Sequence, residues 1–560
     1  MESSCKNGLS LFDMVLSFSF KNKLKSFLIN ISLLILGSFL FAFSNPGFVF
    51  SEGLGFLAWI AYIPVFVLVY RLSFKTVWIY GFIYGVFSYM LYVSWLVIFS
   101  PVGSIAIEAM YGVFLMLTFV AMKACCLLFP KKWYLASFLA CLGYEYLKTI
   151  GFAGFSYGVT AYTQWKNPVL IQCADLGGVW LLSAVVLFSS AWLSNVLVCF
   201  FKKSEKSAQA FVQVLRENFI PAFVWFVVLV AIVVYGFASV KDYSAFPKVK
   251  VAAIQHNTDP WLSNDVEAYA KDVDTLIALS NQALKEQPDT VLVVWPETSV
   301  IPPILKHYHL RRDRNRFNLI KRFLDFVESQ QAVFVIGNDQ QDDFYSPDPA
   351  DYNGVLVFSP KKNTLPPEPE IYRKIHLVPF TESFPWPKQF PSLYEALLNG
   401  DTHLWSQGNE YVVFRQAGLA FSTPVCFEDT FGDTGFKMFR AGARAFVNLS
   451  NDAWSKSLAC QNQHLAMARF RCVENRIPAV RSTASGQTCI IDPNGIITAM
   501  AQPFAKTYVT GEIPVIPNDA EQTVYCRTGD VLGQFFAAAA FVLILSGIVR
   551  CVFRKITGNS

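Results

Sequence analysis

The chain has 560 residues, 53% of them hydrophobic and only 16% charged, with a net charge of +5. A soluble globular chain carries about 25% charged residues, so the deficit excludes a wholly soluble protein and points to membrane segments. The small net charge gives no ground for nucleic-acid binding, and the 12 cysteines and six histidines, with no C-x-x-C pair, give none for a metal site.

Residues up to about 240 are mostly apolar runs. A membrane-crossing helix needs roughly 20 apolar residues. Segments at about 27–44, 53–70, 76–98, 104–128, 133–148, 169–200 and 219–240 are candidates, with an eighth at 531–549. The fifth is short and contains Glu145; the sixth is long enough to begin outside the membrane. Glu145 and Glu108 are read as structural hydrogen-bonding groups between helices, because an intramembrane carboxylate must find a partner.

Basic residues then test the count. Lys6, Lys21, Lys23, Lys25, Arg71, Lys75, Lys131, Lys132, Lys202, Lys203, Lys206, Arg216, Arg550, Arg554 and Lys555 all fall on alternate connections or at the termini. The intervening short loops hold only Lys166, with Lys148 at an edge. Positive residues favour the cytoplasmic side, so both termini are expected there and the region 248–525 outside. No small-x-small cleavage site follows the first apolar run, so it is read as a retained helix. The expected division is a membrane domain at 1–240 with about seven helices, an α/β domain at 248–525 and a last helix at 531–549.

Within the middle region, β-rich runs at 249–255, 291–295, 332–337, 354–358, 418–425 and 443–449 alternate in part with helix-period stretches at 265–286 and 319–328. Asp492-Pro493-Asn494-Gly495 reads as a hairpin turn. The alternation argues for a layered α/β domain. Residues 311–322 are basic with interleaved apolar positions and read as a solvated helix face. The region holds five cysteines, an odd number that leaves at least one thiol unpaired within it.

Three polar clusters stand where expected strands end. Glu297 follows Trp295-Pro296, Lys374 lies in an extended run, and Cys426 ends another strand. A thiol with an ordinary pKa near roughly 8.5 needs a base and a cation to act as a nucleophile, and a carboxylate and an ammonium supply them. Each residue also has a bland reading: a core cysteine, an edge lysine, a helix-capping glutamate. Spacing alone does not unite them.

The motifs do. Trp295-Pro296-Glu297, Tyr372-x-Lys374-x-His376-Leu377 and Cys426-Phe427-Glu428, in that order, resemble the signature segments of the nitrilase, or carbon–nitrogen hydrolase, superfamily, and the run from Asn448 to Trp454 resembles a fourth. With eight flanking helices, the whole chain resembles the bacterial apolipoprotein N-acyltransferase family. His376 to Glu382 is similar to that family's His-Leu-Val-Pro-Phe-Gly-Glu stretch, with Thr381 in place of the glycine. Gln463, His464, Met467, Ala468, Arg469, Arg471, Glu474, Arg476 and Arg481 fit its next segment.

The resemblance implies a multi-pass α-helical membrane domain of about eight helices plus an extramembrane nitrilase-like αββα sandwich. It implies Glu297 as general base, Lys374 as oxyanion stabiliser and Cys426 as nucleophile. Glu382 and Glu428 would be supporting carboxylates, with a salt bridge to Lys374 as the competing reading. Trp261 and Phe427 are candidate lipid contacts. No cofactor is implied. The implied donor is a membrane phospholipid, the acceptor a diacylglyceryl apolipoprotein, and the location the bacterial inner membrane with the catalytic domain periplasmic. Three other readings stand beside this one: a membrane-tethered nitrilase or amidase, an inactive lipid-binding or transport protein, and a papain-like Cys426–His464 pair.

Overall fold

The computed structural model describes residues 11–259, 265–398 and 403–557. Trp261 lies outside the described residues. Helices occupy all eight expected apolar segments. Five are long and apolar enough to cross a membrane: Lys23–Ser44, Pro101–Leu128, Leu170–Lys202, Phe219–Ser239 and Val531–Phe553. Gly55–Arg71 and Val77–Tyr92 are apolar but shorter. Trp133–Leu147 has 15 residues and is packed between neighbours rather than exposed along its length. Phe219–Ser239 shows the opposite pattern: Ile220, Phe223, Val224, Phe226 and Val230 all face outward, as lipid-facing residues do.

Two segments depart from straight spans. The third was expected to run over 76–98, but its helix ends at Tyr92, and Trp95 turns to donate its Nε1–H to Gln463 Oε1 at 3.0 Å. The sixth opens as a 3-10 turn at Leu170–Cys173 and is kinked at Gly177 and Gly178. Gly178 sits at φ +60, and a Cβ there would lie 2.4 Å from the Tyr525 ring, so only glycine fits. Glu145 does not bond a second helix. Its Oε1 accepts the backbone N–H of Thr160 at 3.0 Å and the Thr160 hydroxyl, so it anchors the following loop. Glu108 accepts from Ser104, one turn earlier on its own helix, at 2.8 Å. Among the described residues, neither carboxylate reaches a neighbouring long apolar helix for its partner.

The α/β region builds two six-stranded sheets. The first comprises β1 (Lys248–Gln255), β2 (Thr290–Val294), β3 (Val333–Asp342), β4 (Ala350–Phe358), β5 (Glu370–Arg373) and β12 (Thr507–Pro514), in the order β12-β1-β2-β3-β4-β5. The second comprises β6 (Phe414–Gln416), β7 (Leu419–Ser422), β8 (Ala445–Ser450), β9 (Ala479–Thr483), β10 (Cys489–Ile491) and β11 (Ile497–Met500), in the order β11-β10-β9-β8-β7-β6. Each has a parallel centre, β1-β2-β3 in one and β7-β8-β9 in the other, with antiparallel flanks. Parallel centres are buried on both faces, which explains their near-continuous apolar runs.

Alternation along the strands divides the core. Val251, Ala253, Leu292, Val294, Val333 and Val335 share a cluster with residues of the second sheet. Ala252, Ile254, Val293, Phe334 and Ile336 point the other way. They meet Tyr269, Val273, Leu276 and Ala283 of helix Val266–Glu286, spaced at helical period, and Leu319, Ile320 and Phe323 of helix Arg314–Glu328. Helices Gly432–Ala441 and Leu458–Asn475 lie with the second sheet. The result is a nitrilase-like αββα sandwich. The basic side chains of the 311–322 stretch are solvated and in part paired: Arg316 with Asp313, Lys321 with Asp325 and Arg322 with Asp274. The strand expected over 418–425 is cut short at Ser422, because Pro424 has no N–H to give the ladder; Val425 rejoins only as an isolated bridge to Leu449.

Candidate active site

Glu297 is carried on the segment that leaves β2. Trp295 roots that segment, fully buried with its Nε1–H on Ser280 Oγ at 2.9 Å. Gly337 on β3 lets the segment approach. A Cβ at Gly337 would lie 2.4 Å from the Pro296 carbonyl oxygen, 2.4 Å from the Thr298 nitrogen and 2.6 Å from Glu297 Cα. These are backbone atoms and cannot yield cheaply. Gly337→Ala is therefore expected to displace the carboxylate and lower kcat by roughly 10- to 100-fold, while circular dichroism stays native; unchanged kinetics would show that this packing does not place Glu297.

Lys374 follows β5. Its main chain is held on both sides, the N–H on Asn353 O at 2.9 Å and the carbonyl accepting from Gly408 N at 2.8 Å. Its side chain is fully buried, with Nζ 3.2 Å from Glu297 Oε1 and 2.8 Å from Glu382 Oε1. Burial alone would depress the ammonium's pKa, but Glu297 and then Glu382 outweigh it and hold the group cationic. Glu382 is itself raised, by burial first, and only partly relieved by Lys374. Asn353 Nδ2 donates to Glu297 Oε1 at 2.8 Å, and Asn451 N donates to Oε2 at 2.9 Å, so both carboxylate oxygens are fixed.

Cys426 begins the short turn Cys426–Thr430 after Val425. It sits at φ +48, a left-handed conformation that costs a non-glycine residue about 1–3 kcal/mol. Glu428 secures that elbow. Its Oε2 accepts from Val425 N at 2.8 Å; its Oε1 accepts from Ile375 N at 2.8 Å, His376 N at 3.0 Å and the Tyr372 hydroxyl at 2.8 Å. One buried carboxylate thus ties the cysteine turn to the segment carrying Lys374. The thiol is pushed well up, by burial first and then by the Glu297 charge, with Lys374 opposing. A thiol raised in this way needs a base to take its proton before it can attack.

A protein of Treponema denticola named Apolipoprotein N-acyltransferase 1 is 39% identical over 551 residues, spanning 96% of this chain and 99% of its own length. This chain belongs to the apolipoprotein N-acyltransferase family. The Treponema pallidum member of the same name is 40% identical over 93% of this chain and 96% of its own. A second Treponema denticola member, Apolipoprotein N-acyltransferase 2, is 29% identical over 90% and 95%. The family model for the apolipoprotein N-acyltransferase N-terminal domain matches residues 18–192, and that for carbon-nitrogen hydrolase matches 250–516.

Within this N-acyltransferase the motif residues converge unequally. Glu297, Lys374, Glu382 and Cys426 share one electrostatic cluster, in which the first three are buried and Cys426 is half-buried. Glu428 bonds the backbone on either side of it and does not contact the Lys374 ammonium. The loop before Glu382 takes its left-handed residue at Phe380, φ +63, not at Thr381, which accommodates the threonine. Phe427 is buried, edge-on to Phe431 at 4.8 Å and 6.4 Å from Phe155. His464 engages both ring nitrogens away from the thiol, Nδ1 with Asp452 and Nε2 with Asp429 and the Cys426 carbonyl.

Sequence reasoning did not assign Asn353 or Asn451 to Glu297, nor the contacts that seat this domain on the helices. Helix Leu458–Asn475 and the residue after it make most of those contacts. Gln463 Nε2 donates to Pro46 O at 2.7 Å and Tyr92 O at 3.0 Å. Arg471 reaches the Tyr162 hydroxyl at 3.2 Å. Arg476 grips Asp175 at 3.0 Å and Gln172 at 2.6 Å. Above the site, Trp454 faces Trp95 at 5.5 Å, and Tyr157 stacks on Phe155 at 4.4 Å. Aromatic side chains of the membrane-domain loops therefore wall the region beside Cys426. The motif positions were visible in the sequence as arginines and glutamines; their partners, hundreds of residues away, were not.

Proposed function

We propose that this acyltransferase moves one acyl chain from a membrane phospholipid to the α-amine of a diacylglyceryl-cysteine at a lipoprotein N-terminus. Glu297 takes the Cys426 proton as sulfur attacks the ester carbonyl. Lys374 stabilises the oxyanion. The intermediate collapses with cleavage of the ester C–O bond, and the lysophospholipid alkoxide leaves with the proton from Glu297. A thioester remains on Cys426. The free amine then attacks it, its proton passes to Glu297, and the amide forms as the thiol is regenerated. Glu382 keeps Lys374 in place, and the Lys374 ammonium held between Glu297 and Glu382 in the same cluster as Cys426 is the observation that carries this reading. Phe155 beside Phe427 sets an apolar surface next to the cysteine turn, which suits an acyl chain.

In this reading the chain divides into a membrane domain at 1–240, a catalytic domain at 248–525 and a last helix at 531–549, with both termini cytoplasmic and the catalytic domain on the outer face of the inner membrane. The placing of the basic residues supports that orientation. Expression in a strain lacking the N-acyltransferase is expected to add a third acyl chain to the lipoprotein N-terminus, read by mass spectrometry. Release of free fatty acid with no third chain would move the reading to a hydrolase.

A further inference from the structure

Behind the cysteine turn lies a cluster of four ionisable side chains that the chemistry above does not use. Asp429 comes from the turn itself, Asp452 from the segment after β8, His464 from helix Leu458–Asn475 and Arg481 from β9. Their residues are 5%, 2%, 2% and 0% exposed. His464 Nδ1 lies 3.1 Å from Asp452 Oδ1, and Nε2 lies 2.8 Å from Asp429 Oδ1 and 3.0 Å from the Cys426 carbonyl oxygen. The other Asp429 oxygen pairs with Arg481. An acceptor at each ring nitrogen calls for a proton on each. Imidazolium and guanidinium then balance the two carboxylates, and the cluster is neutral. Burial alone would lower the ring's pKa, but Asp429 and Asp452 push it up to about 10. A neutral ring would instead leave a net negative charge directly behind the nucleophile.

The Cys426 carbonyl and the Phe427 N–H belong to one peptide unit, and across a trans peptide they point in opposite directions. Phe427 lies in the first turn of a short helix, where an N–H has no intrahelical acceptor. The left-handed φ of Cys426 is not one a cysteine adopts unaided, so the plane of this peptide has to be held from outside. The amide that follows a nucleophile is placed to donate to the oxyanion formed at it.

We propose that His464 is a positioning residue for acyl transfer: its single Nε2–H, shared between Asp429 Oδ1 and the Cys426 carbonyl, fixes the Cys426–Phe427 peptide so that the Phe427 N–H joins Lys374 in binding the oxyanion. This rests on the acyl-transfer reading above. It assigns the conjugate cation of a histidine to the backbone of the nucleophile rather than to its sulfur.

The test uses the full-length enzyme in phospholipid vesicles, with His464→Leu and His464→Gln. Acylation of Cys426 is followed by intact mass, and its alkylation by iodoacetamide through peptide mapping. His464→Leu is expected to slow acylation at least about 100-fold, with the half-saturating phospholipid concentration unchanged and alkylation within about 3-fold of wild type. His464→Gln keeps an N–H in reach of the carbonyl and is expected to recover about 10-fold over His464→Leu. The proposal is overturned if folded His464→Leu acylates at the wild-type rate. It is equally overturned if alkylation falls in step with acylation, which would place His464 on the thiol, or if folded His464→Gln gains nothing. Should both variants unfold, the wild type decides. In enzyme carrying 15N-histidine, both His464 ring nitrogens stay protonated at about pH 8, and a neutral ring there overturns the proposal. Activity in Cys426→Ala would instead overturn the acyl-transfer reading and leave the geometry of His464 untouched.

Discussion

Cys426→Ala protein is expected to take up no acyl adduct from phospholipid vesicles and to lose activity by at least about 10⁴-fold, whereas wild-type protein incubated with phospholipid alone gains the mass of one acyl chain. The loss is large because no other described thiol shares the setting. Cys460, Cys472, Cys489 and Cys526 are free but buried in the core, outside the Glu297–Lys374 pair. Alanine takes the left-handed φ of +48 at about the cost cysteine does, so the variant should melt near the wild-type temperature. Activity and stability therefore separate. An active Cys426→Ala protein, or an adduct that maps to a different residue, would remove the thioester from the mechanism.

The second large effect is expected at Lys374. Lys374→Ala removes the one cation that, among the described residues, pairs with both Glu297 and Glu382, and leaves two buried carboxylates facing each other. Breaking such a buried pair costs about 3–5 kcal/mol, and losing one oxyanion donor costs roughly 10²- to 10³-fold in kcat. The two losses respond differently to pH. Glu382 is already raised by burial, and without the ammonium that opposes this its folded-state pKa stands further above the unfolded value of about 4.3. The folded form then holds more protons than the unfolded chain above that pH, so its stability falls as pH rises through the raised pKa. The Tm deficit against wild type should thus be largest near about pH 8 and shrink towards about pH 5, while kcat stays low at both. A deficit that does not change with pH would mean that the carboxylates find other partners. The double variant Lys374→Met with Glu382→Gln separates the roles further: it should regain stability, because the unpaired charge is gone, and stay inactive.

The segments that were legible in the sequence are those whose signal is local. Apolar runs marked all eight helical segments, five of them long enough to cross a membrane, because a helix in lipid must satisfy its own backbone and present an apolar surface. β1, β2, β3 and β8 were legible as apolar runs because central parallel strands are buried on both faces. The short strands β5, β6 and β9 were not. β9 carries Arg481 in the middle of the core, and no periodicity rule expects a fully buried guanidinium. Its place depends on Asp429, a residue of another strand's turn.

The cysteine site shows the same boundary. By itself the sequence determined that Glu297, Lys374, Cys426, Glu382 and Glu428 stand in family motifs, since chemistry fixes residue type and motif order is a linear property. Tertiary structure decided how they divide the work. Glu382 lies on the Lys374 ammonium, whereas Glu428 spends its oxygens on backbone N–H groups of two segments and the Tyr372 hydroxyl. Asn353, Asn451 and the His464 ring behind Cys426 came into view only with the fold. The physical reason is that a buried charge is set by whichever groups surround it in space. Those groups come from strands and loops far apart in the chain, and only the packing of the two sheets against each other and onto the helices brings them together.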